Sequence, residues 1–156
     1  MAQYVLLARV MAARHFKELT AWQLAEAFKN EIFSVAKKHP RVMSDWKFRS
    51  QLLDAADAVP NDIAEGFVRK SPLTFANFLD YALGSLVEAE RRLISGARLE
   101  FYEESVCQPA LRLAKRCLTA TIRLKQSQIR YAEERRQARG KHSRKRDPSD
   151  QSKSPD

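Results

Sequence analysis

Glycine, proline and long apolar runs are scarce in this chain. Its 156 residues include 4 glycines and 6 prolines, whereas a β-sandwich or barrel needs many turn residues, so a fold built only from strands is excluded. No apolar run approaches the roughly 20 residues that span a bilayer. Residues 4–8 are apolar, but Arg9 interrupts them and no basic segment precedes them, so we expect no signal peptide. These absences predict a cytoplasmic protein without membrane contact.

Cysteine and histidine are too few and too far apart for the common catalytic or metal sites. Cys107 and Cys117 stand ten residues apart, about 15 Å along a helix, which is too far for a disulfide and does not match a zinc-ligand spacing. The three histidines fall before, between and after the helical segments, and the chain has no glycine-rich phosphate loop. We therefore expect reduced core thiols, no metal, no cofactor, no catalytic residue and no enzymatic activity.

Apolar residues make up 44% of the chain and recur at spacings of three and four residues, which is the period of an amphipathic helix. The pattern predicts four long helices, over residues of about 17–38, 44–65, 72–98 and 106–139. Short loops between helices of similar length favour antiparallel neighbours. The predicted fold is all-α, an antiparallel up-down four-helix bundle.

Individual residues mark the expected helix ends. Ser44 is predicted to be the N-cap of the second helix, and the pair Ser71 and Pro72 to open the third. Gly66 is predicted to end the second helix in the left-handed conformation. Gly84 lies inside the third helix, which predicts that a neighbouring backbone approaches it closely.

The chain divides into three segments. Residues 1–15 form an N-terminal extension that is expected to be poorly ordered or a helical leader, and residues 16–139 form the bundle. Residues 140–156 contain no Leu, Ile, Val or aromatic residue. Because such a segment cannot bury enough apolar surface to fold, we expect a disordered basic tail.

The positive charge is confined to the last third of the chain. Residues 1–108 contain 14 Lys/Arg and 14 Asp/Glu, whereas residues 109–156 contain 14 and 5, which accounts for the whole formal net charge of +9. Clustered cations gain free energy by releasing the counterions condensed on a nucleic acid. A solubilising tail is the alternative explanation.

The fourth predicted helix has three faces, because successive residues turn by about 100°. The stripe expected to pack into the bundle is Val106, Ala110, Leu113, Cys117, Ala120 and Leu124. A second apolar stripe predicts an oligomer interface or, alternatively, a wide core stripe within the monomer; it consists of Leu111, Leu118, Ile122 and Ile129. The third face carries Arg112, Arg116, Arg123 and Arg130, and it leads along the chain into Arg135, Arg136 and Arg139. These seven arginines are the predicted nucleic-acid-binding residues. Tyr131 is the one aromatic residue among them, so we expect contacts with phosphates rather than base stacking.

Several polar residues fall within the helical core pattern of the second and third helices. They include Gln51, Asn61, Glu65, Ser85 and Glu88. Glu65 and Glu88 would suit acid–base catalysis as a carboxylate pair. The favoured interpretation is structural, with Asn61 and Glu65 satisfying loop and cap amides.

The same two helices carry the most specific motif of the chain, Asn-x-Ile-Ala-Glu-Gly followed by Gly-Ser-Leu. Its marked positions are Asn61, Glu65, Gly66, Gly84, Ser85 and Glu88. The motif resembles that of a bacterial four-helix-bundle family, which includes the proteins encoded in intervening sequences of large-subunit ribosomal RNA genes. The accessory variability determinant of diversity-generating retroelements belongs to the same family. The resemblance covers about Phe16 to Leu124.

This resemblance implies a homo-oligomer, which is a pentameric barrel in the retroelement branch. There, a basic surface engages nucleic acid and a reverse transcriptase. Asp54 and Asp57 stand where relatives tend to carry basic or neutral residues, which puts a basic contribution from the second helix in doubt.

Together these patterns predict a non-enzymatic, homo-oligomeric helical bundle. It is expected to bind RNA or DNA through the arginine face of the fourth helix and the basic tail. The alternative is a protein-interaction scaffold, such as an accessory subunit that binds a reverse transcriptase.

Overall fold

Five α-helices account for most of the described chain. The computed structural model describes residues 13–144. Its helices are α1 (Thr20–Lys38), α2 (Pro40–Ser44), α3 (Trp46–Phe67), α4 (Pro72–Arg98) and α5 (Gln108–Arg144). Single 3-10 turns precede α1 and α5, at Phe16–Glu18 and Glu104–Cys107. No strand occurs in this part of the chain, so the predicted all-helical class is confirmed.

The four long helices pack in the cyclic order α1, α3, α4, α5, and each packs mainly against its two neighbours in that order. An ion pair joins Asp80 of α4 to Lys125 of α5. Farther along, Ile94 and Leu111 of the same two helices line one cavity. Because a forward step along α4 matches a backward step along α5, these helices are antiparallel. In residues 13–144, no helix has the length and apolar character needed to cross a bilayer.

Each long helix contributes a stripe of fully buried side chains to one core. The largest of them are Phe28, Ile32, Leu52, Ile63, Leu79, Leu86 and Leu93. They recur at the predicted helical spacings, and burying each one stabilises the folded state by about 1.5–3 kcal/mol. In α5 the buried stripe includes Ala114 and Thr121, whereas Leu113 and Ala120 are only half-buried. The buried face of α5 is therefore rotated slightly about the helix axis relative to the predicted one.

The start of α3 differs from the prediction. Ser44 ends the short helix α2 and donates to the carbonyl of Arg41 at 3.0 Å. Asp45 is the N-cap instead, and its Oδ1 accepts from the amide of Phe48 at 2.9 Å. The predicted cap of α4 is confirmed, because Ser71 Oγ accepts from the amide of Thr74.

Two glycines have roles other than the predicted ones. Gly66 is buried inside α3 and its φ is not positive, so the predicted left-handed end is wrong. A Cβ on Gly66 would lie 2.6 Å from Phe75 Cδ2 and from Phe78 Cβ, so glycine is needed there for close packing of α3 against α4. Gly84 is exposed, and a Cβ there would meet no atom within 4 Å. The close neighbour predicted for Gly84 is absent from the described chain.

Helix α5 does not end where the tail was predicted to begin. It continues through Gly140 to Arg144, because a single glycine costs a helix only about 1 kcal/mol and does not by itself end one. The rest of the predicted tail, residues 145–156, lies outside the described residues, as do residues 1–12 of the predicted extension.

Candidate nucleic-acid interface

The first group of predicted arginines lies along the outer face of α5. Arg112, Arg116 and Arg123 are exposed, and Arg130 is half-buried. In the described part of the chain, Arg112, Arg116 and Arg123 form no ion pair with a carboxylate. Their guanidinium groups are therefore available to an external anion.

The second group lies beyond the end of the helical core. Arg135, Arg136 and Arg139 are exposed and line a cavity of about 450 Å³ together with Lys70. The other lining residues are Ser71, Pro72, Leu73 and Ala132. No described residue that lines this cavity is acidic. The cavity therefore gathers four positive charges from two distant parts of the sequence.

The antiparallel register of α4 and α5 creates this cavity. Leu73 near the start of α4 and Ala132 of α5 both line it. Because α5 continues to Arg144, its later turns project past the start of α4 and lie near the loop from α3. The N-terminal end of α4 adds the partial positive charge of a helix dipole.

Lys70 is the functional candidate that sequence analysis missed. It stands in the short loop between α3 and α4, far in sequence from the basic C-terminal segment. Only the register between α4 and α5 places it beside Arg136 and Arg139. The one local signal that could have identified Lys70 is the basic pair Arg69 and Lys70 just before the Ser71 cap.

The aromatic residue nearest to this group is engaged within the protein. The guanidinium carbon of Arg135 lies 5.6 Å from the centre of the Tyr131 ring, a cation–π distance. Tyr131 is half-buried. One face of this ring is therefore occupied by an arginine side chain of the same helix.

The second apolar stripe of α5 is only partly covered. Leu111 and Leu118 are half-buried and pack against the core, and Ile129 is half-buried. Ile122 keeps 38% of its surface exposed. Leu111 lines a cavity together with Ile94 of α4, and Lys125, on the same side of α5, pairs with Asp80 of α4. The stripe therefore lies at the edge where α5 meets α4.

The motif residues join α3 to α4 on the outside of the molecule. Arg92 donates to Glu88 Oε1 at 2.8 Å and to Gln51 Oε1 at 2.6 Å, while Glu65 pairs with Arg69 in the loop just after α3. Glu65 and Glu88 thus each have an arginine partner and remain about half exposed. Their placement within the core pattern was wrong.

Asn61 and Ser85 complete the contacts along this edge. Asn61 is exposed and donates from Nδ2 to Asp57 at 2.8 Å, so it does not satisfy a loop amide as expected. Ser85 Oγ donates to Asp62 Oδ2 at 3.4 Å. Burial raises the pKa of Asp62, the hydrogen bond from Ser85 lowers it, and the charge of Glu65 raises it.

Both cysteines are free and buried, as predicted. Burial raises the pKa of the Cys117 thiol to about 11, although a hydrogen bond with Thr121 lowers it. Burial also raises the pKa of Cys107, and the nearby charge of Glu104 adds to this effect. Both side chains are therefore protonated near neutral pH and act as core residues.

These observations define a helical protein whose last helix carries a cationic outer face and a basic end. Residues 17–123 match the sequence profile of the family described as 23S rRNA-intervening sequence protein. The chain belongs to this family, and the resemblance deduced from its motif is confirmed. No curated protein matches the chain. Arg135, Arg136 and Arg139 lie beyond the matched residues, so the basic end is not part of the family profile.

Proposed function

We propose that this protein is a non-enzymatic four-helix bundle that binds RNA by contacting the phosphates of the RNA backbone. The cavity lined by Lys70, Arg135, Arg136 and Arg139, without an acidic residue among its described lining, carries this proposal. Arginine forks match phosphate oxygens, and each neutralised phosphate releases counterions.

Arg112, Arg116 and Arg123 form a second basic surface, on the side of α5 that faces away from the cavity, because successive helical residues turn by about 100°. The cavity and this second surface are therefore separate candidate contacts for phosphates. No described residue that lines the cavity is aromatic, so contacts there favour the backbone over the bases.

Charge removal at the cavity tests this proposal. The variant R135Q/R136Q/R139Q is expected to bind a fluorescent RNA hairpin at least about tenfold more weakly than the wild type at moderate salt. The control K37Q/K38Q/K47Q removes the same charge from exposed positions of α1 and α3, and it is expected to change the affinity much less. Fluorescence anisotropy measures both. Equal losses in the two variants, or no loss in either, would contradict the proposal.

We further propose that the protein self-associates through the edge that includes Leu118 and Ile122. Ile122 is exposed and Leu118 is half-buried, and apolar edges of this kind are covered in oligomers. The variant L118E/I122E is expected to be a folded species of lower mass by light scattering. An unfolded or aggregated product would place both side chains in the core of the single chain.

A further inference from the structure

The basic cavity, lined by Lys70, Arg135, Arg136 and Arg139, holds positive charge that the protein itself does not neutralise. In residues 13–144, none of these four side chains pairs with a carboxylate. Like charges gathered around a volume of about 450 Å³ repel one another. An anion bound among them is therefore attracted by all four charges and offsets their mutual repulsion.

The sequence of α5 keeps its carboxylates away from this cavity. Glu133 and Glu134 stand between Ala132 and Arg135, but neither glutamate lines the cavity. Because successive helical residues turn by about 100°, the two glutamates point away from the direction that the lining residues share. Acidic and basic side chains are thus separated by face, although they alternate along the sequence.

The basic cavity has the volume of a small-ligand site. Its 450 Å³ fall within the roughly 300–1,000 Å³ that is typical of such sites. This space suits a single terminal nucleotide, whereas the interior of a duplex needs an extended surface. Pro72, Leu73 and Ala132 give the cavity an apolar part that can contact a sugar. The Ser71 oxygen accepts from the amide of Thr74, so its hydroxyl hydrogen is left to donate to a phosphate.

A phosphate at the end of a strand matches these donors better than a phosphate within it. A terminal phosphate has three free acceptor oxygens and a charge of about −1.5 to −2 at pH 7. An internal phosphodiester has two such oxygens and a single charge. Three guanidinium groups and one ammonium group supply more N–H donors than two oxygens accept. A terminal phosphate and the linkage next to it together carry about three negative charges, which is close to the charge of the cavity.

We propose that the basic cavity binds the terminal phosphate of an RNA strand, together with the phosphodiester next to it. The proposal rests on the RNA binding proposed above and names the part of the RNA that enters the cavity. The 5′ end and the 3′ end can both carry this chemical group, and the experiment distinguishes them. The second basic surface, formed by Arg112, Arg116 and Arg123, is left to contact internal phosphates.

The state of the RNA ends tests this proposal. Hairpins of one sequence, labelled in the loop, carry a 5′-phosphate, a 3′-phosphate or hydroxyl groups at both ends. By fluorescence anisotropy with the full chain, one of the phosphorylated hairpins is expected to bind about tenfold more tightly than the hydroxyl form. The end that gives this preference is the end that enters the cavity. R135Q/R136Q/R139Q and Lys70→Gln are each expected to lose most of the preference while keeping the circular dichroism spectrum of a folded helical protein.

The matched control is R112Q/R116Q/R123Q, which removes three charges from the second basic surface. It is expected to weaken binding of all three hairpins alike and to keep the tenfold ratio. A preference that survives in R135Q/R136Q/R139Q would place the terminal phosphate outside the cavity and overturn the inference. If the wild type binds all three hairpins equally and R135Q/R136Q/R139Q weakens them equally, the terminal site is wrong and the proposed RNA binding stands. If no hairpin binds to the wild type, both proposals are wrong.

Discussion

Gly66 and Gly84 have different structural roles in two neighbouring helices. At Gly66 the missing Cβ makes room for the ring of Phe75 and the Cβ of Phe78, whereas at Gly84 a Cβ would meet no atom within 4 Å. Sequence patterns singled out both glycines, but they predicted a helix end at Gly66. This prediction was wrong because local capping patterns do not show how α4 packs against α3.

The two glycines therefore predict opposite effects of the same substitution. Gly66→Ala is expected to lower the free energy of unfolding by about 1–3 kcal/mol, because the added methyl group overlaps Phe75 and Phe78 of α4. Gly84→Ala is expected to raise it by about 0.5–1 kcal/mol, since alanine favours the helix and meets no neighbour. Urea denaturation at low protein concentration measures both, and a change of the same sign in the two variants would contradict this account.

At the scale of elements, helical periodicity predicted the long helices better than their ends. The bounds of α4 agree with the prediction because the Ser71 and Pro72 start signal acts locally. The start of α3 was placed at Ser44, where α2 intervenes. That short helix depends on how the chain passes between α1 and α3, which apolar spacing does not encode.

The corrected cap of α3 leads to a prediction at this scale. Asp45→Ala is expected to lower the free energy of unfolding by about 1 kcal/mol, because the amide of Phe48 loses its acceptor. Ser44→Ala is the matched control, since Ser44 lies at the end of α2 and caps nothing in α3. Thermal denaturation compares the two variants. A larger loss of stability for Ser44→Ala than for Asp45→Ala would contradict this account and identify Ser44 as the cap.

At the scale of the whole molecule, the charge distribution along the sequence was sufficient to select α5 but not to describe the basic end. Arg135, Arg136 and Arg139 were predicted from the basic run, whereas Lys70 joins them through the register of α4 and α5. The sequence also did not predict that α5 extends past the start of α4, because Gly140 indicated an earlier helix end. Such sites depend on helix length and register together.

The salt dependence of RNA affinity tests the central claim most directly, namely that the basic end of α5 neutralises phosphates. Between about 50 and 200 mM salt, the logarithm of the association constant should fall linearly with the logarithm of salt concentration; the slope per phosphate contacted is about −0.9 for B-form DNA and about −0.7 for single strands. The slope for R135Q/R136Q/R139Q is expected to be shallower than that of the wild type by about 2–3. Identical slopes would contradict the account, because the three arginines would then contact no phosphate.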